Sequence, residues 1–179
     1  MANETGDFDL TINDLRIVAQ YAVQAAADVL AVFENAEPDD KRPRNAVSAA
    51  WTFVNGAPRS NLLRVTSLDA HRAAKEASSE AARHAAQAAG DAAAAAYLHP
   101  LAKSTQVGHI LRAAANAARV AELGAGDDPA AGEQAIERTL NRATPALIDI
   151  LLRYPAAPIG KSRVAQLMTT LDSQLRAAR

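Results

Sequence analysis

Four histidines, His71, His84, His99 and His109, are the side chains best suited to metal binding or proton transfer. His71 and His84 belong to one predicted helix, in which their positions would be separated by about 20 Å along the axis. One metal ion cannot bridge that distance. His99 and His109 flank Pro100, which breaks a helix, and these two side chains could converge in space. The ligand spacing typical of zinc sites does not occur, so we predict no metal site and no catalytic histidine.

Sequence motifs for nucleophilic catalysis, cysteine-based metal sites and phosphate binding are absent or lack a required residue. The chain has no cysteine, which excludes thiolate nucleophiles and cysteine-based metal sites. Gly160-Lys161-Ser162 is similar to the end of a phosphate-binding loop, but Pro155 stands where that loop needs a glycine. The acidic pairs Asp39-Asp40 and Asp127-Asp128 lie where helix caps are expected. We therefore predict that the protein has no catalytic residues, binds no cofactor and is not an enzyme.

The composition predicts the elements that position these residues. Alanine accounts for 45 of the 179 residues, and aromatic residues make up only 4 %. Alanine has the highest helix propensity, whereas the residue types that favour strands are sparse. The sequence therefore predicts an all-α, alanine-rich bundle of five to eight helices. A second helix is expected between Asp39 or Asp40 and Gly56, and the others are expected at about 11–35, 61–89, 91–98, 105–123, 129–141, 145–153 and 162–177.

The strongest internal break is the glycine- and aspartate-rich segment 124–129. It divides the chain into a main helical bundle, residues 1–126, and a C-terminal helical extension, residues 127–179, which we expect to pack on the bundle. Residues 1–9 are predicted to form a flexible acidic arm.

The charge distribution is asymmetric although the net charge is only −1. Residues 1–40 contain nine acidic residues and one arginine, and residues 41–75 contain seven basic residues and one aspartate. The two regions could neutralise each other on adjacent surfaces, or the acidic region could attract a basic partner. A nucleic-acid-binding protein is normally basic overall, so no nucleic-acid partner is predicted.

The N-terminal segment lacks the basic and apolar regions of a signal peptide. The longest uninterrupted apolar run, residues 92–98, is too short to cross a bilayer. We therefore expect a cytoplasmic protein with no membrane partner.

Several segments resemble a known family. Residues 38–46 read Pro-Asp-Asp-Lys-Arg-Pro-Arg-Asn-Ala and lead through Ala49-Ala50-Trp51 to Gly56. Residues 88–99 read Ala-Ala-Gly-Asp, five alanines and Tyr-Leu-His, and the next alanine-rich helix contains Gly108-His109. On these segments, residues 12–123 resemble the bacterial putative immunity protein family, an all-helical group among the immunity proteins of polymorphic toxin systems. The resemblance implies that the protein neutralises a cognate toxin by direct binding, without catalysis.

The acidic corner between the first two helices is the predicted partner-binding face. Its carboxylates are those of Glu34, Glu37, Asp39 and Asp40, with Trp51 expected nearby. Trp51 fits either core packing or a contact with the partner. Within the same corner, Arg42 and Arg44 are expected to pair with these carboxylates.

Two other functions are compatible with the sequence. A helical scaffold or oligomerisation module would bury the apolar face of residues 162–177 in a homodimer. A protein that binds a small ligand or a metal would bring His99 and His109 together in a cavity.

Overall fold

The structure, a computed structural model, describes residues 6–178. In this range it contains eight α-helices and no strand, which confirms the predicted all-α bundle. The helices are α1 (Ile12–Ala36), α2 (Arg42–Val54), α3 (Asn61–Glu76), α4 (Glu80–Ala94), α5 (Val107–Gly124), α6 (Pro129–Arg142), α7 (Pro145–Leu151) and α8 (Arg163–Ala177). Two short 3-10 turns, Ala95–Tyr97 and Ser104–Gln106, lie between α4 and α5.

Helix α4 is the centre of the bundle and packs against α1, α2, α3 and α5. Seven of its ten buried residues are alanines, and all seven are fully buried: Ala82, Ala85, Ala86, Ala88, Ala89, Ala92 and Ala93. Methyl side chains let the neighbouring backbones approach closely. At the crossing with α3, the Ser67 hydroxyl donates a hydrogen bond to the Gly90 carbonyl at 2.8 Å.

Residues 61–98 differ from the sequence prediction. The expected single helix 61–89 is two helices, α3 and α4, which form a hairpin. Ala77 is extended, with a ψ of 140°, and the Ser79 hydroxyl caps α4 by accepting a hydrogen bond from the backbone of Ala82. The predicted stop at Gly90 was wrong, because this glycine lies inside α4.

The C-terminal helices cover α5 and α1. Helices α6 and α8 pack on α5, and α7 packs on α1. The apolar face of α8 is buried in these contacts through Leu167, Met168, Leu171 and Leu175. The face that a second copy was expected to cover is therefore already packed within the chain.

The segment before α1 contacts the rest of the protein. The backbone of Asp7 donates to the Pro100 carbonyl at 2.8 Å, and the Asp7 carboxylate accepts from the backbone of Ala102 at 2.7 Å. The Phe8 ring packs edge-on against Tyr154, with 4.9 Å between the ring centroids. The prediction of a flexible arm was therefore wrong for residues 6–9, and its first five residues lie outside the described range.

Helix α1 is long and apolar enough to cross a membrane by length and composition. Half of its apolar window is buried inside the bundle, and one such helix is only weak evidence for a membrane span. This helix contains no long uninterrupted apolar run, because polar residues such as Gln20 and Gln24 divide it.

A buried carboxylate fixes the junction between α5, α6 and α8. Glu122 is only 1 % exposed and accepts hydrogen bonds from Arg119 at 2.9 Å and from Arg163 at 2.5 Å. Burial acts to raise the pKa of Glu122, but the bonds from Arg163 and Arg119 are stronger and hold it below its ordinary value. Gly132 of α6 packs directly on this side chain, since a methyl group there would lie 2.7 Å from Glu122 Cγ.

We predict that Gly132→Ala lowers the free energy of unfolding by about 1–3 kcal/mol, because the added methyl group overlaps a side chain that two arginines hold in place. Chemical denaturation measures the change. Gly124→Ala is the matched control, since a methyl group at Gly124 would meet no atom within 4 Å. Equal stability of the two variants would contradict the close packing at Gly132.

Candidate functional site

The acidic corner is a shallow surface depression of about 400 Å³ at the turn between α1 and α2. Glu37, Pro38, Asp39 and Asp40 line it, and Glu34 lies on the last turns of α1 beside it. The structure thus brings together the four predicted carboxylates. A depression lined by carboxylates suits a basic side chain.

Most of these carboxylates have partners within the chain. Arg44 donates two hydrogen bonds to Glu34. Arg42 bonds Asp40 at 2.6 Å and reaches Glu76 of α3 at 2.5 Å. Both arginine pairings confirm the sequence prediction. The hydrogen bonds from Arg44 and Arg42 hold the pKa of Glu34 and of Asp40 below the ordinary values.

Glu37 and Asp39 differ in their surroundings. Glu37 accepts a hydrogen bond from the backbone of Ser78 at 2.8 Å, which connects the corner to the α3–α4 link and lowers the pKa of Glu37. Asp39 is exposed, and it makes no hydrogen bond or ion pair with any described residue. Asp39 is therefore the carboxylate most available to a partner.

Trp51 is partly buried against the core and does not line the depression. It lies nine residues beyond Arg42 on α2, about 14 Å along the helix axis. The exposed side chains of Arg44 and Ser48 lie on one side of α2 between the corner and Trp51. The corner and Trp51 are thus joined by one continuous helix surface.

A second candidate site was missed from the sequence. It is a cleft of about 720 Å³, open to solvent, between the α3–α4–α5 side of the bundle and the C-terminal segment that leads into α8. We call it the histidine cleft, because His71 and His84 both line it. The separation of about 20 Å expected for these two histidines assumed one straight helix. The break at residues 77–79 folds α4 back along α3 and places both side chains on one cavity.

The two walls of the histidine cleft differ in character. The segment 158–160 and α8 contribute mostly apolar groups, among them Ile159, Val164 and Met168. Ile159 is 94 % exposed at the rim. The opposite wall is polar and consists of His71, Lys75, His84, Gln87, Asp91, Arg112 and Asn116.

A hydrogen-bond network crosses the polar wall. Nδ1 of His84 lies 2.8 Å from the Asn116 side-chain oxygen, and the Asn116 amide donates to Asp91 Oδ2 at 3.0 Å. The other Asp91 oxygen lies 3.6 Å from His71 Nε2 and 3.8 Å from Arg112 Nη1. Since the amide of Asn116 donates to Asp91, its oxygen faces His84, which requires the proton on Nδ1 of that histidine.

The electrostatics of the cleft are set by burial. Burial raises the pKa of Asp91 to about 7, although Arg112 and the bond from Asn116 oppose this change. Burial also lowers the pKa of His71, and the positive charges of Arg112 and Lys75 add to the effect. Asp91 is therefore partly protonated near neutral pH, and His71 is mainly neutral there.

His99 and His109 do not assemble a metal centre. His109 is partly buried, and burial together with the charges of Arg112 and His99 lowers its pKa. Within residues 6–178, no group of three or more His, Asp or Glu side chains is placed to hold a metal ion.

Gly160-Lys161-Ser162 directly precedes α8, and residues 6–178 contain no strand such as a phosphate loop requires. The Ser162 hydroxyl caps α8 by accepting from the backbone of Ala165 at 3.2 Å. Gly160 and Ser162 also form part of the rim of the histidine cleft.

Comparison with known proteins gives one finding. A family model described as "Imm-5 like putative immunity protein" matches residues 10–145, which include every helix from α1 to α6. The match extends beyond the range of the resemblance noted in the sequence and crosses the break at residues 124–129. No curated protein and no solved structure matches the chain significantly.

The buried carboxyl of Asp91 makes stability depend on pH. Its pKa is about 7 in the folded protein, whereas an aspartate in an unfolded chain has a pKa of about 3.9. Between these values the folded protein keeps a proton that the unfolded chain releases, so the free energy of unfolding contributed by Asp91 falls as the pH rises.

We predict that Asp91→Asn raises the free energy of unfolding by about 2 kcal/mol at about pH 8 and changes it little at about pH 4, because the amide removes the cost of burying a charge. Urea denaturation at both pH values measures the effect. Asp149→Asn, on the exposed face of α7, is the control and should change stability little at either pH. Destabilisation of Asp91→Asn at the higher pH would show that His71 and Arg112 stabilise the carboxylate by more than its burial costs.

Proposed function

The chain belongs to the family of Imm-5 like putative immunity proteins, and from this membership we propose that it neutralises a cognate toxin by direct binding. The family match over residues 10–145 is the observation that carries the proposal. In the proposed mechanism the protein is a stoichiometric inhibitor and catalyses no reaction. It covers a functional surface of the toxin, and complementary charge guides the encounter. We place this interaction in the cytoplasm.

We place the toxin interface at the acidic corner and along the exposed side of α2. The depression lined by Glu37, Pro38, Asp39 and Asp40 would receive a basic side chain of the toxin. Asp39 would form the new ion pair, because its carboxylate has no partner in the described chain. The partly exposed ring of Trp51 would mark the far end of the interface, where a large aromatic side chain can contribute strongly to affinity.

The internal ion pairs support this placement. Arg42 joins Asp40 to Glu76, and Arg44 joins Glu34 to α2, so the backbone around Asp39 is held in one conformation. A surface that is ordered before binding loses less conformational entropy in the complex. The paired carboxylates would then serve mainly to fix the shape of the corner.

We predict that Asp39→Lys weakens toxin binding about tenfold to a hundredfold, mainly through a slower association rate, because it reverses the one carboxylate of the corner that is free to meet a basic partner. The measurement is surface plasmon resonance with the cognate toxin immobilised. Asp39 has no internal partner, so the variant should fold like the unmodified protein.

Glu133→Lys on α6 is the matched control, because it makes the same charge change at another exposed position. Its affinity for the toxin should equal that of the unmodified chain. An unchanged affinity of Asp39→Lys, or an equal loss in both variants, would remove the acidic corner as the interface.

A further inference from the structure

We propose that the histidine cleft is a second binding site, separate from the toxin-binding corner, and that it takes a small carboxylate ligand with an apolar body. The carboxylate would lie between Lys75 and Arg112, and the apolar body would lie against Val164 and Met168. This site goes beyond the proposed toxin binding and does not depend on it.

The size of the cleft suits a small molecule. Its volume is about 720 Å³, and pockets for small ligands typically measure about 300–1,000 Å³. Such pockets combine a mainly apolar lining with a few convergent polar groups. The histidine cleft has this division, with its apolar wall on α8 and its polar wall on α3, α4 and α5.

The charges of the polar wall favour an anion. Lys75 has no ion pair with any described carboxylate. The Arg112 guanidinium is 3.8 Å from Asp91, beyond hydrogen-bond distance. Arg163, by contrast, is fully engaged, because it bonds Glu122 at 2.5 Å. Two cations are therefore available at the mouth of the cleft, and a ligand carboxylate can accept hydrogen bonds from both.

Among the described residues, Asp91 is the only acidic side chain that lines the cleft, and it does not create a site for a cation. Asp91 lies behind His71 and Arg112, and one of its oxygens is already bonded to Asn116. A cationic ligand would have to pass Lys75 and Arg112 to reach it. Burial raises the pKa of Asp91 to about 7, so this carboxyl is partly neutral near neutral pH.

The same carboxyl links ligand binding to proton uptake. Titratable and charged groups face Asp91 from three helices. Helix α3 contributes His71 and, one turn farther along, Lys75. Helix α4, which carries Asp91, contributes His84, and α5 contributes Arg112. Helix α8 faces the cleft with uncharged groups such as Val164 and Met168. A second carboxylate near Asp91 favours its protonated form, and protonation of His71 at lower pH adds attraction for the ligand. Both effects tighten binding as the pH falls.

The test uses phenylbutyrate and its cationic counterpart phenylbutylamine, each titrated into the full chain by isothermal calorimetry without toxin. Phenylbutyrate should bind, and phenylbutylamine should bind at least about tenfold more weakly. Arg112→Gln and Lys75→Met should each weaken phenylbutyrate binding about tenfold, since each removes a hydrogen bond to a charged group.

Arg138→Gln and Lys103→Met are the matched controls, because they make the same changes at exposed positions away from the cleft. Both should bind phenylbutyrate like the unmodified chain. Affinity should also rise from about pH 8 to about pH 6, and Asp91→Asn should reduce this dependence.

Three results would overturn the proposal: no binding of phenylbutyrate, equal or stronger binding of phenylbutylamine, or unchanged affinity in both Arg112→Gln and Lys75→Met. Thermal melting of each variant verifies that it is folded. Because toxin is absent from the assay, failure of this proposal leaves the proposed toxin binding unaffected, and failure of toxin binding leaves this result unaffected.

Discussion

The close approach of helices around the alanine face of α4 is the constraint on which the rest of the structure depends. A buried methyl group contributes only about 0.8 kcal/mol, so an alanine core is stable only when many such contacts form at short distances between helices. Four helices, α1, α2, α3 and α5, pack closely on α4 and supply these contacts. Two buried residues of α4 that are not alanine, Gly90 and Asp91, shape the histidine cleft. Gly90 leaves room for the His71 ring, since a methyl group there would lie 2.7 Å from Nε2, and Asp91 follows directly. The packing of α3 on α4 thus produces the polar wall of the histidine cleft.

The buried carboxyl groups Glu122 and Asp91 differ in their ionisation, because their hydrogen-bond partners differ. Glu122 is almost fully buried, yet two arginines bond it and keep it ionised. Asp91 is also buried, but its nearest guanidinium is too distant for a hydrogen bond, so desolvation dominates. The paired carboxylates stabilise the fold most at neutral pH, because their folded pKa values lie below the unfolded values. Asp91 acts in the opposite direction. Glu122 thus anchors the fold as an ionised group, and Asp91 is the group to which we assign the proposed proton-linked binding.

The sequence predicted the fold class and most helices, because caps and breakers such as Asp128, Pro129 and Ser162 mark their ends. It also predicted the pairing of Arg42 and Arg44, since their partners Asp40 and Glu34 are near in sequence. The break between α3 and α4 was missed because an alanine-rich segment has little contrast between its faces, although Ser78-Ser79 was an available capping signal. Because of this one error, the sequence did not show that His71 and His84 line the same cleft. The bond between Asn116 and Asp91 joins distant segments and leaves no local pattern in the sequence.

We propose that this chain inhibits a toxin by occupying the toxin's surface, without modifying it. The most direct measurement is a titration of toxin activity at fixed toxin concentration with increasing amounts of this protein, read after short and long incubation. Direct binding predicts a linear fall in activity that ends at one molar equivalent and does not change with time. Progressive loss of toxin activity at a small fraction of an equivalent would rule out inhibition by occupancy, because it would require this chain to act catalytically.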